Sequence, residues 1–310
     1  MRGVVVKVMG LYYTVYYDTK YINCVLRGKL RQLLESETEK FSNIIAVGDE
    51  VEISVSSDDT GVIEEIIPRR NYFSRKEKGK HRKIDIIAAN CDCAVVMQSF
   101  ALPKLNLRFA DRIAVRCGQQ KIPLVLCVNK YDLAEKEDVQ YIADYYKHAD
   151  VEIIMTSAKT GYNINEFKKI LHGKTSVIVG YSGVGKTSIL NAMYPGLKLK
   201  VGEVSASTGK GKHTTTNVTM AIIDDITRII DTPGLREFGI MDIEPHLLSK
   251  YFYEFEEYAQ HCAFKPCTHD HEPDCEIKRM VQKGVIYEER YVSYLNILYS
   301  LKDYYATMYS

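Results

Sequence analysis

The chain has 310 residues, of which 41 are Lys or Arg and 40 are Asp or Glu, and its formal charge is +1. A chain this close to neutral can bind nucleic acid only through a local basic patch. No run of about 18 apolar residues occurs, which argues against a membrane-spanning helix, and residues 1–17 do not resemble a signal peptide. We therefore expect a cytoplasmic protein that has no contact with a membrane.

Residues 1–68 show the period-two pattern of short β-strands. Successive runs alternate apolar and polar residues and are separated by Gly, Asp and Ser turns. About five short strands in a segment of this length suit a small closed barrel. We predict an all-β OB-fold, a barrel that often binds nucleic acid on one face, with an SH3-like barrel as the alternative.

A basic stretch, residues 69–83, follows the predicted barrel and contains eight Lys or Arg residues against one Glu. We predict a linker here, with two interpretations. It is either a solvated chain or a strip that binds RNA phosphates, because Lys and Arg release counterions when they neutralise phosphates. Basic residues of the barrel segment could extend that strip: Arg27, Lys29 and Arg31.

Residues 84–240 alternate strand-like and helix-like segments. Apolar runs such as 123–129 and 175–180 predict strands, and the amphipathic segment 106–120 predicts a helix. This alternation is typical of an α/β domain with a mostly parallel sheet and helices on its faces. Residues 241–310 repeat apolar and aromatic residues at spacings of three and four, so we predict a mostly helical domain there.

The segment GYSGVGKT, residues 180–187, fits the phosphate-loop pattern G-x-x-x-x-G-K-[ST] and lies between a predicted strand and a predicted helix. Its glycines allow the backbone to wrap phosphates with the N–H groups pointing inward. We expect Lys186 to reach the β- and γ-phosphates and the Thr187 hydroxyl to bind Mg²⁺. The predicted nucleotide contacts here are Gly180, Ser182, Gly183, Val184, Gly185, Lys186, Thr187 and Ser188.

Two further segments match the parts of a nucleotide hydrolase that sense the γ-phosphate. DTPG ends a predicted strand, and we expect Asp231 in the Mg²⁺ shell and the Gly234 N–H at the γ-phosphate. The Thr-rich segment GKGKHTTTN lies between DTPG and the phosphate loop, where a switch loop would supply a Thr to Mg²⁺. All three threonines at 214–216 are candidates, and Thr215 is our choice.

Two segments at the ends of predicted strands point to guanine as the base. In NKYD, Asp132 can accept hydrogen bonds from guanine N1–H and N2–H₂, a donor pair that adenine lacks, while Asn129 would hold the loop together and Lys130 would pack over the base. In TSAK, the Ala158 backbone N–H would bind guanine O6. The predicted base-binding set is Asn129, Lys130, Asp132, Ser157, Ala158 and Lys159.

The order of these motifs along the chain is unusual. The base-reading segments precede the phosphate loop, whereas ordinary small GTPases have the reverse order, yet the cyclic order is the same. This indicates a circular permutation, which domains tolerate because their termini tend to lie close together. Both switch segments consequently lead straight into residues 241–310, so a γ-phosphate that orders the switches can act on that segment.

A Cys/His cluster lies within CAFKPCTHDHEPDC, residues 262–275, with the spacing C-x₄-C-x-H-x₅-C. Three thiolates and one imidazole suit one closed tetrahedral Zn²⁺ site, which we assign to folding and not to catalysis. The predicted ligands are Cys262, Cys267, His269 and Cys275, with His271 as a competing fourth ligand. The remaining cysteines are predicted to be buried small hydrophobes: Cys24, Cys91, Cys93, Cys117 and Cys127.

With these motifs, the whole chain resembles the RsgA (YjeQ) family of circularly permuted bacterial GTPases. The stretches that carry the resemblance are NKYD, TSAKTG, GYSGVGKTS, GKHTTT, DTPGLREFG and CAFKPCTHDHEPDC. The resemblance implies an N-terminal OB-fold, GTP hydrolysis stimulated by the small ribosomal subunit, and a role in late maturation of that subunit. Lys212 stands where the family usually has Arg, and Thr187 where Ser is frequent, but both preserve the charge or the hydroxyl.

The catalytic water lacks its usual partner in this sequence. Ras-type enzymes orient it with a Gln just after the DxxG motif, and Leu235 occupies that place here. His213, next to the Thr run, is the nearest replacement, and the corresponding His has been considered for this role in the family. Our hypothesis is that His213 orients or deprotonates water once the ribosome orders its loop, with Lys186 and Thr215 as the other catalytic groups.

Two alternatives remain open from the residues alone. The first is a nucleotide-gated RNA-binding module without useful turnover, which would explain Leu235. The second is a P-loop ATPase, which Asp132 opposes. The preferred interpretation is a monomeric GTPase that uses Mg²⁺ with GTP, carries one structural Zn²⁺, and binds GTP, GDP and small-subunit rRNA. The predicted division is an OB-fold barrel (1–68), a basic linker (69–83), a permuted GTPase domain (84–240) and a helical zinc-binding domain (241–310).

Overall fold

The computed structural model describes residues 1–28, 41–56, 60–76, 83–197, 218–232 and 238–307. The strands in these ranges are β1 Arg2–Met9, β2 Tyr12–Tyr17, β3 Lys20–Leu26, β4 Glu50–Val55, β5 Thr60–Ile66, β6 Tyr72–Lys76, β7 Ile84–Ala89, β8 Cys93–Ser99, β9 Leu124–Asn129, β10 Glu152–Met155, β11 Thr175–Gly180, β12 Thr219–Ile222 and β13 Arg228–Asp231. The α-helices are α1 Leu107–Gln120, α2 Lys136–Tyr145, α3 Ile164–Leu171, α4 Lys186–Met193, α5 Tyr253–Ala259, α6 Glu276–Gln282 and α7 Glu288–Ala306.

The first five strands form a closed barrel. They follow the order β1-β2-β3-β5-β4, and β4 returns to pair with β1. Alternate side chains point inward, as the period-two pattern predicts: Val15 on β2, Cys24 on β3 and Ile63 on β5 are completely buried. The predicted OB-like barrel is therefore confirmed.

The other six strands of the same 11-stranded sheet belong to the predicted α/β domain. Its order is β10-β9-β8-β11-β13-β12, in which the first five strands are parallel and β12 is antiparallel. All residues of β8 and β11 are buried because apolar side chains cover both faces of the sheet. The carboxyl ends of the parallel strands meet at one edge, where α/β sheets carry their ligands.

Part of the predicted basic linker is a β-strand. Strand β6 pairs antiparallel with β7 in a separate two-stranded sheet, and Phe73 within it is completely buried. Strand β7, whose six residues precede the more obvious strand β8, was not predicted from the sequence. Residues 77–82, which carry much of the basic charge, lie outside the described ranges.

The arginines that open this stretch hold carboxylates of the protein. The Arg69 Nε donates to Asp49 Oδ1 at 2.6 Å, and the Asp49 side chain is completely buried. Arg75 forms a second ion pair with Asp85, at 3.0 Å between Nη2 and Oδ2. Arg69 therefore joins this stretch to the barrel segment, while Arg75 joins strand β6 to strand β7, and the RNA-binding interpretation of the stretch stays a prediction.

The C-terminal residues form a helical layer that packs on α1. Within it, Phe252 separates a 3₁₀ helix, Pro245–Tyr251, from α5. Phe252 has φ −114° and ψ 88°, outside helical geometry, and its completely buried ring has its centroid 5.4 Å from that of Phe255 and 5.2 Å from that of Tyr294. Among the described residues, no helix is both long and apolar enough to cross a membrane.

Candidate nucleotide site and metal centre

The phosphate loop begins where β11 ends at Gly180 and leads into α4 at Lys186. Gly183 and Gly185 have φ angles of +88° and +97°, which favour glycine. A Cβ atom on Gly185 would lie 2.2 Å from Asn129 Nδ2, so a larger residue would displace that side chain. Local conformation and close packing both require glycine at this position.

The Lys186 ammonium lies at the mouth of this loop. Its Nζ donates to the carbonyl oxygens of Gly180, at 2.7 Å, and Tyr181, at 3.2 Å. Burial lowers the pKa of Lys186, and the nearby Asp231 carboxylate opposes that effect. The lysine is therefore placed to bring a positive charge to a bound phosphate.

Asp231 provides a buried carboxylate beside the phosphate loop. It ends β13, whose residues pair with β11, and lies opposite Ile178. Burial raises the pKa of Asp231 while Lys186 opposes the shift. Its Oδ1 is buried and has no hydrogen-bond partner among the described residues. An unpaired carboxylate oxygen near Lys186, at the loop that also carries the half-buried Thr187, fits the hydrated Mg²⁺ that accompanies a nucleotide.

Asn129 joins three loops of the site. Its Nδ2 donates to the Val184 carbonyl of the phosphate loop at 2.9 Å, and its Oδ1 accepts from the Ala158 N–H at 3.2 Å. The side chain is 2% exposed, so both bonds are shielded from water. The base-reading and phosphate-binding loops are thereby held at a fixed separation.

Asp132 is oriented by the second base-reading loop. The Ser157 hydroxyl donates to Asp132 Oδ1 at 2.6 Å, and Lys159 Nζ lies 3.7 Å from Oδ2. The hydrogen bond from Ser157 lowers the pKa of Asp132. The ionised carboxylate is an acceptor only, which is the form needed to accept guanine N1–H and N2–H₂. The neighbouring Lys130 donates from Nζ to the carbonyls of Ala101, at 2.9 Å, and Leu102.

The remaining predicted nucleotide contacts divide into two groups. Ser182 is exposed and Val184 buried, while Ser188 lies half-buried in the first turn of α4. Three predicted positions fall outside the described ranges, namely His213, Thr215 and Gly234, and so does Leu235, which stands where Ras-type enzymes have Gln.

The Cys/His cluster forms a compact set of ligand atoms. One ligand atom from each of Cys262, Cys267, His269 and Cys275 lies within 4.8 Å of the others. His269 Nδ1 is 3.6 Å from the Cys262 sulfur and 3.4 Å from the Cys275 sulfur. Three sulfurs and one ring nitrogen around a common centre fit one tetrahedrally bound metal ion.

The loop geometry distinguishes the two histidines that the sequence offers as the fourth metal ligand. His269 is 2% exposed and has a left-handed backbone with a φ of +57°. The His271 side chain is 77% exposed and lies 3.7 Å from Asp270, away from the sulfurs. Glu272 stabilises the loop, because its carboxylate accepts hydrogen bonds from the Thr268 N–H and hydroxyl, both at 2.7 Å.

A cluster of buried charges that the sequence analysis did not predict joins α1 to the C-terminal helices. The Arg290 guanidinium contacts Asp111 of α1 and donates from Nε to Glu254 Oε1 at 2.6 Å. Tyr145 donates its hydroxyl to the same aspartate at 2.5 Å. The only sequence signal is a charged residue on the apolar face of α1, where Asp111 is completely buried.

Comparison with known proteins adds the family. The RsgA GTPase family model matches residues 66–241, and the RsgA N-terminal domain model matches residues 2–63. The small ribosomal subunit biogenesis GTPase RsgA 2 of Bacteroides thetaiotaomicron is 36% identical over 302 residues, which cover 96% of each chain. The RsgA of Christiangramia forsetii is 38% identical over 312 residues and 98% of each chain.

Solved structures share the same architecture. YjeQ from Thermotoga maritima matches with a TM-score of 0.76 and 34% identity, over 97% of this chain and 98% of that one. YloQ, described as a circularly permuted GTPase, matches with a TM-score of 0.69 and 28% identity, over 97% and 95% of the two chains. The predicted permuted fold is therefore confirmed, and the chain belongs to the RsgA GTPase family of GTP hydrolases.

Proposed function

We propose that this GTPase acts in late maturation of the small ribosomal subunit and that the subunit stimulates its turnover of GTP to GDP and phosphate. The observation that carries the proposal is the Asn129 side chain, which holds a phosphate loop and a base-reading loop together in the permuted order. Relatives of nearly the same length are named small ribosomal subunit biogenesis GTPases. A role on the ribosome implies a cytoplasmic protein.

In this proposal, the phosphate site acts by charge and position. Lys186 neutralises the β- and γ-phosphates, and Thr187, Asp231 and Thr215 hold the Mg²⁺ that accompanies GTP. When bound, Mg²⁺ would supply positive charge that offsets the negative charge of the phosphates during transfer. The Gly234 N–H senses the γ-phosphate. The unpaired Asp231 Oδ1 beside Lys186 supports this assignment for the described part of the site.

His213 takes the role of the missing glutamine. It orients or deprotonates the attacking water once the subunit orders the Thr-rich loop, since Leu235 can do neither. The four-ligand cluster holds one structural Zn²⁺ with no open position for substrate, because three thiolates and one imidazole complete a tetrahedron.

The barrel offers a surface suited to rRNA. Tyr12 and Tyr21 on β2 and β3 are 62% and 60% exposed, and aromatic rings at such positions stack on unpaired bases. We also propose that the protein works as a monomer and keep the division expected from the sequence, with strand β6 inside the linker: barrel (1–68), basic linker (69–83), GTPase domain (84–240) and zinc-binding domain (241–310).

The deciding experiment measures GTP turnover by the protein alone, with small ribosomal subunits, and with large subunits. We expect strong stimulation by small subunits only. In His213→Ala, we expect stimulated turnover to be lost while GTP binding persists, whereas His148→Ala, at an exposed histidine away from the motifs, should behave as wild type. Equal turnover in all three mixtures would refute the ribosomal role. Stimulated turnover in His213→Ala would refute that residue's assignment.

A further inference from the structure

Two tyrosines form a stacked pair across the base-reading loops. The ring centroids of Tyr131, in NKYD, and Tyr162, just after TSAKTG, lie 4.6 Å apart, and the ring planes differ by 15°. Phe100 packs edge-on against Tyr131, with a centroid distance of 6.1 Å. Tyr162 is 45% exposed, so this ring covers the pair from the solvent side.

The backbone of both tyrosines helps to join the two loops. The Tyr131 N–H donates to the Thr156 carbonyl at 3.0 Å, and the Ser157 N–H donates to the Tyr162 carbonyl at 3.1 Å. Ser157 in turn donates its hydroxyl to Asp132. These bonds hold the backbone of the stacked pair to the loop that carries Ser157, which among the described residues is the uncharged side-chain donor to the Asp132 carboxylate.

We propose that the Tyr131–Tyr162 stack positions Asp132 and thereby sets how strongly the site discriminates guanine from related bases. The inference rests on the proposed function, because it takes Asp132 as the guanine reader. Loss of the Tyr162 ring removes the ring contact between the two loops and leaves only their backbone bonds and the polar contacts of Asn129 and Asp132. The Ser157 hydroxyl and the carboxylate that it orients then sample more positions, which weakens a paired hydrogen bond more than a single one.

The test compares GDP with inosine diphosphate, which lacks the guanine N2 amine and so offers Asp132 one donor in place of two. We would measure both dissociation constants with Mg²⁺ for the full-length wild type, Tyr162→Ala and Tyr162→Phe. Tyr253→Ala serves as a matched control, because Tyr253 is 47% exposed and lies in α5. Thermal melting of each variant records any general loss of stability.

We expect Tyr162→Ala to bind GDP more weakly and to narrow the ratio of the two dissociation constants by about three- to tenfold, the size of an aromatic pair interaction. Tyr162→Phe, which keeps the ring, and Tyr253→Ala should retain the wild-type ratio. A Tyr162→Ala protein with an unchanged ratio would overturn the inference, even if both affinities or the melting temperature fell. A wild type that binds both nucleotides equally would instead refute the assignment of Asp132, and the inference with it.

Discussion

The buried charge cluster between α1 and the C-terminal helices provides a quantitative test of the structure. Arg290 is 3% exposed and contacts two carboxylates, those of Asp111 and Glu254, which are 0% and 7% exposed. Although burial opposes its charge, these two carboxylates raise the pKa of Arg290. The guanidinium also lies 4.5 Å from the ring centroid of Phe252. The charge of the guanidinium therefore serves the two ion pairs, and its flat shape serves the packing on the Phe252 ring.

Replacing Arg290 with Met retains much of the volume but removes the cation that both buried carboxylates contact. Removal of one partner from a buried ion pair costs about 3–5 kcal/mol, because the remaining charge is uncompensated. Arg279→Met is the matched control, since the Arg279 side chain is 53% exposed and pairs with Glu276 on the surface at 2.7 Å. An exposed pair of this kind is worth about 1 kcal/mol or less.

The chain contains 0 Trp, so its unfolding is followed by a signal that does not need tryptophan, such as far-UV circular dichroism. Urea denaturation monitored in this way would measure the stability of both variants. We expect the Arg290→Met transition to move to clearly lower urea or to split, with the C-terminal helices unfolding first. Adding Glu254→Gln to Arg290→Met should recover part of the loss, since one buried charge is removed. A single Arg290→Met variant as stable as Arg279→Met would refute the assignment of this cluster as a buried network.

Three further predictions concern the two sites. Gly185→Ala should weaken nucleotide binding by at least about tenfold because its Cβ would meet Asn129 Nδ2 at 2.2 Å, whereas Gly196→Ala, which meets nothing within 4 Å, should bind normally in a fluorescent-nucleotide titration. Cys267→Ser should lose metal measured by elemental analysis and lose helix signal; full metal content would contradict the four-ligand site. Despite opposing burial, hydrogen bonds from Thr268 and nearby N–H groups lower the pKa of Glu272 from 4.5 to about 2. Its stabilisation is therefore present above about pH 4.5 and lost towards pH 2, so melting curves of wild type and Glu272→Gln should differ at pH 6 and converge on acidification.

The parts of the site that the sequence predicted are those whose chemistry is local. The phosphate loop needs glycine at positions with positive φ and a lysine that follows at once, so one short segment contains the whole requirement, from Gly180 to Lys186. Strands β8 and β11 were predictable for a similar reason. Both are buried on two faces and therefore appear as continuous apolar runs.

The parts that the sequence did not predict depend on partners far apart in the chain. Arg290 and Asp111 are 179 residues apart, and nothing in either neighbourhood indicates the other. Arg69 belongs to a stretch that appears uniformly basic, yet its guanidinium is used by Asp49. The spacing of the Cys/His cluster also could not separate His269 from its neighbour two residues on. That choice depends on a left-handed backbone at His269, which several residue types can adopt.

Helix α1 lies between the phosphate loop and the C-terminal helices. Near its start, Asn106 Nδ2 donates to the Tyr181 hydroxyl of the phosphate loop at 3.3 Å, and Phe109 packs on the same tyrosine at 4.4 Å between ring centroids. One turn further, Asp111 holds Arg290, and nearer its end Arg116 binds Asp242 at 2.8 Å. A helix of 14 residues spans about 21 Å, so α1 touches the phosphate loop at one end and the C-terminal helices along the rest. Asp242 also follows the DTPG segment closely in the chain. The C-terminal helices are therefore joined to the nucleotide site in two ways, through the chain itself and through the contacts of α1. A change at the phosphate loop that moved α1 without the C-terminal helices would have to break the buried ion pairs of Asp111 and Arg116, which favours concerted movement of α1 and the helical layer.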